Sequence, residues 1–150
     1  MTKPAALILG FDPSTTRTGW SCLRMDGTLI DCGVIVLDTL VPLQRPGALF
    51  IAVSTRIRDL VPEETRAVAV IEWPDQHTNA IQKGKGFGAG LARYGTAPGI
   101  VYGACAASPL ISQTLIYTKN TWSPGKANKA AQRQRCVYAH PLYAERYAKR

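Results

Sequence analysis

Residues 6–23 read ALILGFDPSTTRTGWSCL, in which an apolar run leads into an acid, Asp12, and then into a turn rich in hydroxyl groups. An apolar run of this length and composition predicts a buried strand. A carboxylate at the end of a buried strand costs free energy unless it is paired, hydrogen-bonded or bound to a cation. Asp12 therefore either caps the turn by accepting hydrogen bonds from the amides of Ser14 or Thr15, or belongs to a functional site.

The sequence after this stretch continues a sheet. The runs TGWSCLRM at 18–25 and TLIDCGVIVL at 28–37 are separated by Asp26-Gly27, a typical hairpin turn. We expect three antiparallel strands, followed by a helix over 47–61 that stops before a proline. RAVAVIEWP at 66–74 is short and almost entirely apolar, which is typical of a buried parallel strand.

The second half of the chain is less regular. The glycine-rich segment at 82–99 predicts a mobile basic loop that runs into a helix near 98–108. A fifth strand is expected at 113–118 and a last helix at 126–139. The order βββαβαβα predicts a single α/β domain over 1–150, with a mixed five-stranded sheet flanked by helices.

The length and composition are typical of a single globular domain without a membrane span. The chain has 150 residues, of which 46% are hydrophobic, enough for one ordinary core. No run approaches the roughly 18 apolar residues of a membrane span, and an acid stands where a signal peptide would be cleaved, so we expect a cytoplasmic protein without a membrane partner. The cysteines are scattered and lack a C-x-x-C pair, which favours buried, reduced thiols over a metal site. They are Cys22, Cys32, Cys105 and Cys136.

Positive charge is concentrated at the C-terminal end. The net charge is +8, and residues 117–150 contain eight of the basic residues but only one acid, Glu145. A segment of one sign attracts a polyanion, because its cations replace the counterions condensed on the phosphates. The sequence therefore favours nucleic-acid binding over a basic tail that only interacts with solvent.

Glu72 is the second acid that ends a buried strand. If the first and fourth strands are neighbours, Asp12 and Glu72 meet at one end of the sheet. Two such carboxylates repel unless a divalent cation lies between them, and oxygen ligands favour Mg²⁺ or Mn²⁺. The alternative for Glu72 is an ion pair with an arginine such as Arg17 or Arg66.

These motifs resemble those of RuvC-type Holliday-junction resolvases. ILGFDPSTTRTGW looks like the family's first-strand motif, and AVAVIEWP resembles its second acidic strand. YGTAPGIVYGACAA resembles its glycine-containing helix, and YTKNTWSPGKANKAAQRQRC its strand followed by a lysine-bearing helix. The resemblance covers nearly the whole chain. It implies a ribonuclease H-like fold, a two-metal nuclease centre to which Asp12 and Glu72 contribute the first two acids, a homodimer, and branched DNA as the substrate.

One departure from the family pattern bears on catalysis. The family has further acids on a C-terminal helix, and this chain ends at Arg150 without them. We expect one of three situations: a C-terminally shortened domain, substitution of the missing acids by Glu145 or Asp75, or a catalytically silent DNA-binding module. A remote alternative is an actin-like ATP-binding protein, which shares the turn after Asp12 but needs a second domain.

Basic and aromatic side chains are the candidates for DNA contacts. The glycine-rich loop lacks the spacing of a phosphate-binding P-loop and is interpreted as a DNA-contacting loop whose aromatic side chain is suited to wedging between bases. The candidate DNA-binding residues are Lys83, Lys85, Phe87, Lys119, Lys126, Lys129 and Arg133.

Overall fold

The computed structural model describes residues 5–73 and 87–118, with side chains in the second range from Gly95 onward. Five strands and two helices are present in these ranges. In chain order they are β1 (Ala5–Asp12), β2 (Arg17–Arg24), β3 (Leu29–Val36), α1 (Arg45–Leu60), β4 (Arg66–Trp73), α2 (Phe87–Ala107) and β5 (Ile111–Thr118). The last predicted helix, at 126–139, lies outside the described residues.

The strands form one mixed sheet in the order β3-β2-β1-β4-β5. β1, β2 and β3 are antiparallel, whereas β4 pairs in parallel with β1 and β5 pairs in parallel with β4. The predicted meander is thus confirmed, and the condition that the first and fourth strands are neighbours is met. The hairpin turn is also confirmed, since Gly27 has a φ of 88° and the Thr28 amide donates to Asp26 Oδ1 at 2.9 Å.

Both helices pack against the same face of the sheet. Alternate residues of β1, including Leu9 and Phe11, are buried there. β4 contributes small side chains at Ala67 and Ala69, which leave room for close helix packing. The helices complete a single core with residues at helical spacing: Leu49, Val53 and Ile57 from α1, and Ala97, Val101, Ala104 and Cys105 from α2.

The glycine-rich segment differs from its prediction. The loop expected over 82–99 is helical from Phe87 onward, and α2 continues through Pro98 to Ala107. Each interior glycine lowers the stability of a helix by about 1 kcal/mol relative to alanine. The glycines of this segment therefore favoured a loop in the sequence analysis. Burial of Ala97 and Val101 against the sheet and α1 offsets that cost.

Two cysteines lie in the core, as predicted. Cys22 and Cys105 are fully buried. Burial raises the pKa of both thiols, that of Cys105 to about 12, so both remain protonated at neutral pH. Cys32 is half-buried, and Cys136 is outside the described residues. In the described ranges no helix is long and apolar enough to cross a membrane.

Candidate active site

The pairing of β1 with β4 brings Asp12 and Glu72 side by side. Phe11 is opposite Ile71 in the parallel register, so the next residue on each strand is one of the two acids. Neighbouring strands lie about 5 Å apart, and residues at equivalent positions of parallel strands share a face. Phe11 and Ile71 point into the core, and side chains alternate along a strand, so the two acids lie on the face opposite the helices.

Glycines keep the surroundings of Asp12 open. The residue opposite Asp12 on β2 is Gly19, which has no side chain to cover the carboxylate. Gly10 precedes Asp12 on the same face, and a Cβ placed there would lie 2.7 Å from the Oγ of Ser21. A side chain at residue 10 would therefore require the Ser21 hydroxyl to move. Asp12 itself is exposed and accessible to a ligand.

The turn after Asp12 is held by Thr18. The Thr18 hydroxyl donates to the carbonyl of Ser14 at 2.8 Å and accepts from the Ser14 amide at 3.1 Å. Thr18 is fully buried, and both bonds lie within the protein. The alternative that Asp12 caps this turn through the Ser14 amide is therefore wrong, because Thr18 already accepts from that amide. Within the described ranges, the Asp12 carboxylate makes no hydrogen bond or ion pair.

Glu72 is half-buried at the end of β4, opposite Tyr117 of β5. The two arginines considered as its ion-pair partners bond to other groups. Arg17 donates to the carboxylate of Asp38, and Arg66 donates to the backbone carbonyls of Glu63 and Thr65. Both guanidinium groups are thus oriented by residues other than Glu72.

An ion pair stands at the same end of the sheet. The Nε and Nη2 of Arg17 both donate to Asp38 Oδ2, at 2.9 and 2.6 Å. These hydrogen bonds, together with the positive charge of Arg17, lower the pKa of Asp38, so the pair persists in mildly acidic solution. Arg45 fixes the loop that carries Asp38, since its guanidinium donates to the carbonyls of Leu40 and Asp38.

The donor set at this end of the sheet suits a hard cation. Asp12 and Glu72 offer carboxylate oxygens from adjacent strands, and a divalent cation would offset their repulsion. Among the described residues there is no group of three or more His, Cys, Asp or Glu side chains that could hold a metal ion. The candidates for a third ligand, Asp75 and Glu145, lie outside those residues, as do the candidate lysines and Arg133. Phe87 is the first residue of α2, and its side chain is not described.

Sequence reasoning missed Thr18 and the Arg17–Asp38 pair. A signal existed for Thr18, because it alternates with the buried Trp20 and Cys22 along β2, where an apolar residue is usual. A polar side chain at a core position of a strand needs a partner, and the adjacent turn is the nearest one. The pairing of Arg17 with Asp38 had no local signal, since the two residues are 21 positions apart.

Comparisons with known proteins agree with this architecture. No family model matches the chain. A segment is 38% identical over 68 residues to the crossover junction endodeoxyribonuclease RuvC of Methylobacterium radiotolerans, covering 43% of this chain and 32% of the relative. The match thus spans about a third of the curated relative's length. It supports the resemblance to RuvC-type resolvases that the motifs indicated.

The fold has a known counterpart as well. The structure of T. thermophilus RuvC in complex with Holliday junction substrate superposes with a TM-score of 0.62 and 17% identity, covering 89% of this chain and 77% of that one. At this level of identity the likeness establishes the fold, which is ribonuclease H-like as predicted.

Proposed function

We propose that this chain is a metal-dependent endonuclease of the RuvC type that cuts branched DNA by hydrolysing phosphodiester bonds. The observation that carries the proposal is the placement of Asp12 and Glu72 on adjacent strands of a RuvC-like fold, on one face and in register. The strand order puts the two carboxylates together, and the open surroundings of Asp12 leave room for a ligand.

The two acids act in this proposal as cation ligands. Mg²⁺, with Mn²⁺ as a substitute, would supply Lewis-acid activation of the phosphodiester and of the attacking water. Asp12 contributes an exposed carboxylate at the end of β1, directly before the turn that Thr18 holds. Glu72 contributes a second carboxylate from the end of the adjacent strand β4. We propose Asp75 or Glu145 as the residue that completes the ligand set.

Substrate binding is assigned to the basic residues. The positive charge at 117–150 suits the phosphates of DNA, and Lys119, Lys126, Lys129 and Arg133 are the proposed contacts, with Lys83 and Lys85 from the segment before α2. A four-way junction presents two equivalent strands, so a two-fold symmetric homodimer would place one centre at each of them. Such a substrate implies a cytoplasmic location.

The decisive experiment compares a labelled synthetic four-way junction with a linear duplex of the same sequence. Each is incubated with the protein in Mg²⁺, in Mn²⁺ and in chelator, and the products are separated on a denaturing gel. We expect paired, metal-dependent nicks in the junction and none in the duplex. Cutting that persists in chelator would contradict the proposal.

A second candidate is a DNA-binding module that does not cut, which the basic residues at 117–150 suit equally well. This candidate predicts a junction bound with equal affinity in metal and in chelator, without nicks. Metal-dependent nicking of the junction by the unmodified protein would exclude this candidate.

A further inference from the structure

Arg17 has donors that its ion pair does not use. A guanidinium carries five N–H groups, and the pair with Asp38 occupies one on Nε and one on Nη2. The other three N–H groups make no hydrogen bond within the described ranges, and the side chain is 67% exposed. One edge of the guanidinium is thus held by the protein while the other is presented to solvent.

The pair is also pre-organised. Asp38 follows β3 in a loop whose position is fixed by Arg45 and by a hydrogen bond from the Leu37 amide to the carbonyl of Thr16. An arginine already held in one orientation loses less conformational entropy when it binds a ligand. The hydroxyl groups of Ser14 and Thr16, 3.4 Å apart, provide further polar groups in the same turn.

The position of Arg17 relative to the acids is set by the register. Asp12 is opposite Gly19, and Arg17 lies two residues further along β2 toward the same end of the sheet. Alternation along the strand places Arg17 on the face that carries Asp12. Two residues of strand and one strand spacing put the two Cα atoms roughly 8 Å apart. Phosphates follow one another at about 3.4 Å along the axis of a DNA strand, so this distance corresponds to about two nucleotides.

We propose that Arg17, oriented by Asp38, binds a backbone phosphate of DNA about two nucleotides from the phosphate at Asp12 and Glu72. The inference rests on the proposed function, which it deepens by naming a phosphate-binding position at the site. Arginine is suited to this role because its planar donors match phosphate oxygens.

The test separates a phosphate contact from a purely structural ion pair. Arg17→Gln and Asp38→Asn both remove the ion pair, but only the first removes a phosphate ligand. Arg24→Gln is the matched control, because it makes the same charge change at the other end of the same strand. The dissociation constant of the whole protein for a synthetic four-way junction is measured in chelator at several salt concentrations.

We expect Arg17→Gln to weaken junction binding several-fold and to reduce the slope of log K against log salt by about 1. Asp38→Asn should weaken binding less than Arg17→Gln, because the lost orientation of Arg17 is partly offset by removal of a negative charge beside the phosphate. Arg24→Gln should leave the slope unchanged. Thermal unfolding of each variant checks that the fold is retained.

Two results would overturn the inference alone: Arg17→Gln behaving like Arg24→Gln, or Arg17→Gln and Asp38→Asn weakening binding equally, as loss of a structural pair predicts. Failure of the unmodified protein to bind the junction would overturn both this inference and the proposed function.

Discussion

The residues next to Asp12 leave its carboxylate accessible. Gly19 removes the side chain that would stand opposite it, and Thr18 takes over the hydrogen bond that would otherwise draw the carboxylate back to the turn. The carboxylate is therefore available for a ligand from outside. This distinguishes a binding acid from a structural cap, in which the carboxylate is consumed by local amides.

Replacing Asp12 with Asn tests this role. We expect nicking of a four-way junction to be abolished, because an amide is a much poorer cation ligand than a carboxylate, while junction binding stays equal or becomes slightly tighter through loss of a negative charge. Gel assays of cutting and of binding measure the two effects separately.

Asp59→Asn is the control for the Asp12 variant. Asp59 is exposed on α1 and lies 4.0 Å from Arg56, so the substitution changes the same charge away from the site. Normal cutting by Asp12→Asn would show that the site is assigned to the wrong residue.

The sequence was most informative for residues whose chemistry conflicts with their position. An acid that ends an apolar run is costly, so Asp12 and Glu72 could be identified without a structure. Arg17 and Asp38 could not, because both are ordinary surface residues and their pairing depends on the β2–β3 register. Residues outside the described ranges, including Asp75 and Glu145, remain predictions.

At the scale of elements, two glycines differ in how much space surrounds them. Gly33 of β3 is opposite Trp20, and a Cβ there would lie 2.8 to 3.0 Å from atoms of the indole ring. The same ring receives the guanidinium of Arg56 at 4.5 Å. Gly99 of α2, in contrast, has no atom within 4 Å of an added Cβ.

Alanine at these two positions should therefore change stability in opposite directions. We expect Gly33→Ala to destabilise the fold by about 1–3 kcal/mol, because the indole ring must move. Gly99→Ala should stabilise it by about 0.5–1 kcal/mol, because the helix backbone loses less entropy on folding. Urea unfolding of both variants measures the free energies, and equal signs for the two would refute the packing argument.

Strands were easier to predict from this sequence than α2. Strands β1 and β4 consist of short runs rich in apolar residues, whose burial dominates any local preference. The beginning of α2 contains glycines that disfavour a helix locally, whereas Ala97 and Val101 further along the same helix are packed in the core. Packing against residues distant in the sequence cannot be predicted from residues 87–97 alone.

At the scale of the whole molecule, most of the net positive charge and the two acids of the proposed site lie in different parts of the sequence. The two acids of the proposed site belong to the sheet, whereas most of the net charge of +8 arises after residue 117. This division suits the proposed function, in which basic residues attract the DNA through its backbone phosphates and the two acids hold the cation. The mixed sheet could be predicted from the order of the elements; the geometry of the basic segment could not.

Junction binding should depend steeply on salt. If about six phosphates are neutralised, affinity falls by roughly 10³-fold between 50 and 200 mM salt. Fluorescence anisotropy with a labelled junction in chelator measures the slope, and a linear duplex is the control for binding that is not selective for structure. A slope near zero would exclude the basic residues as the main source of affinity.

The parallel pairing of β1 with β4 also has a consequence for synthesis of the protein. Asp12 leaves the ribosome 60 residues before Glu72, and α1 must cross over before β4 can join β1. At about 5–20 residues per second, that delay is roughly 3–12 s. Throughout this interval the nascent chain carries only one of the two acids of the proposed site, so the site cannot bind a cation through both of them until β4 has paired with β1.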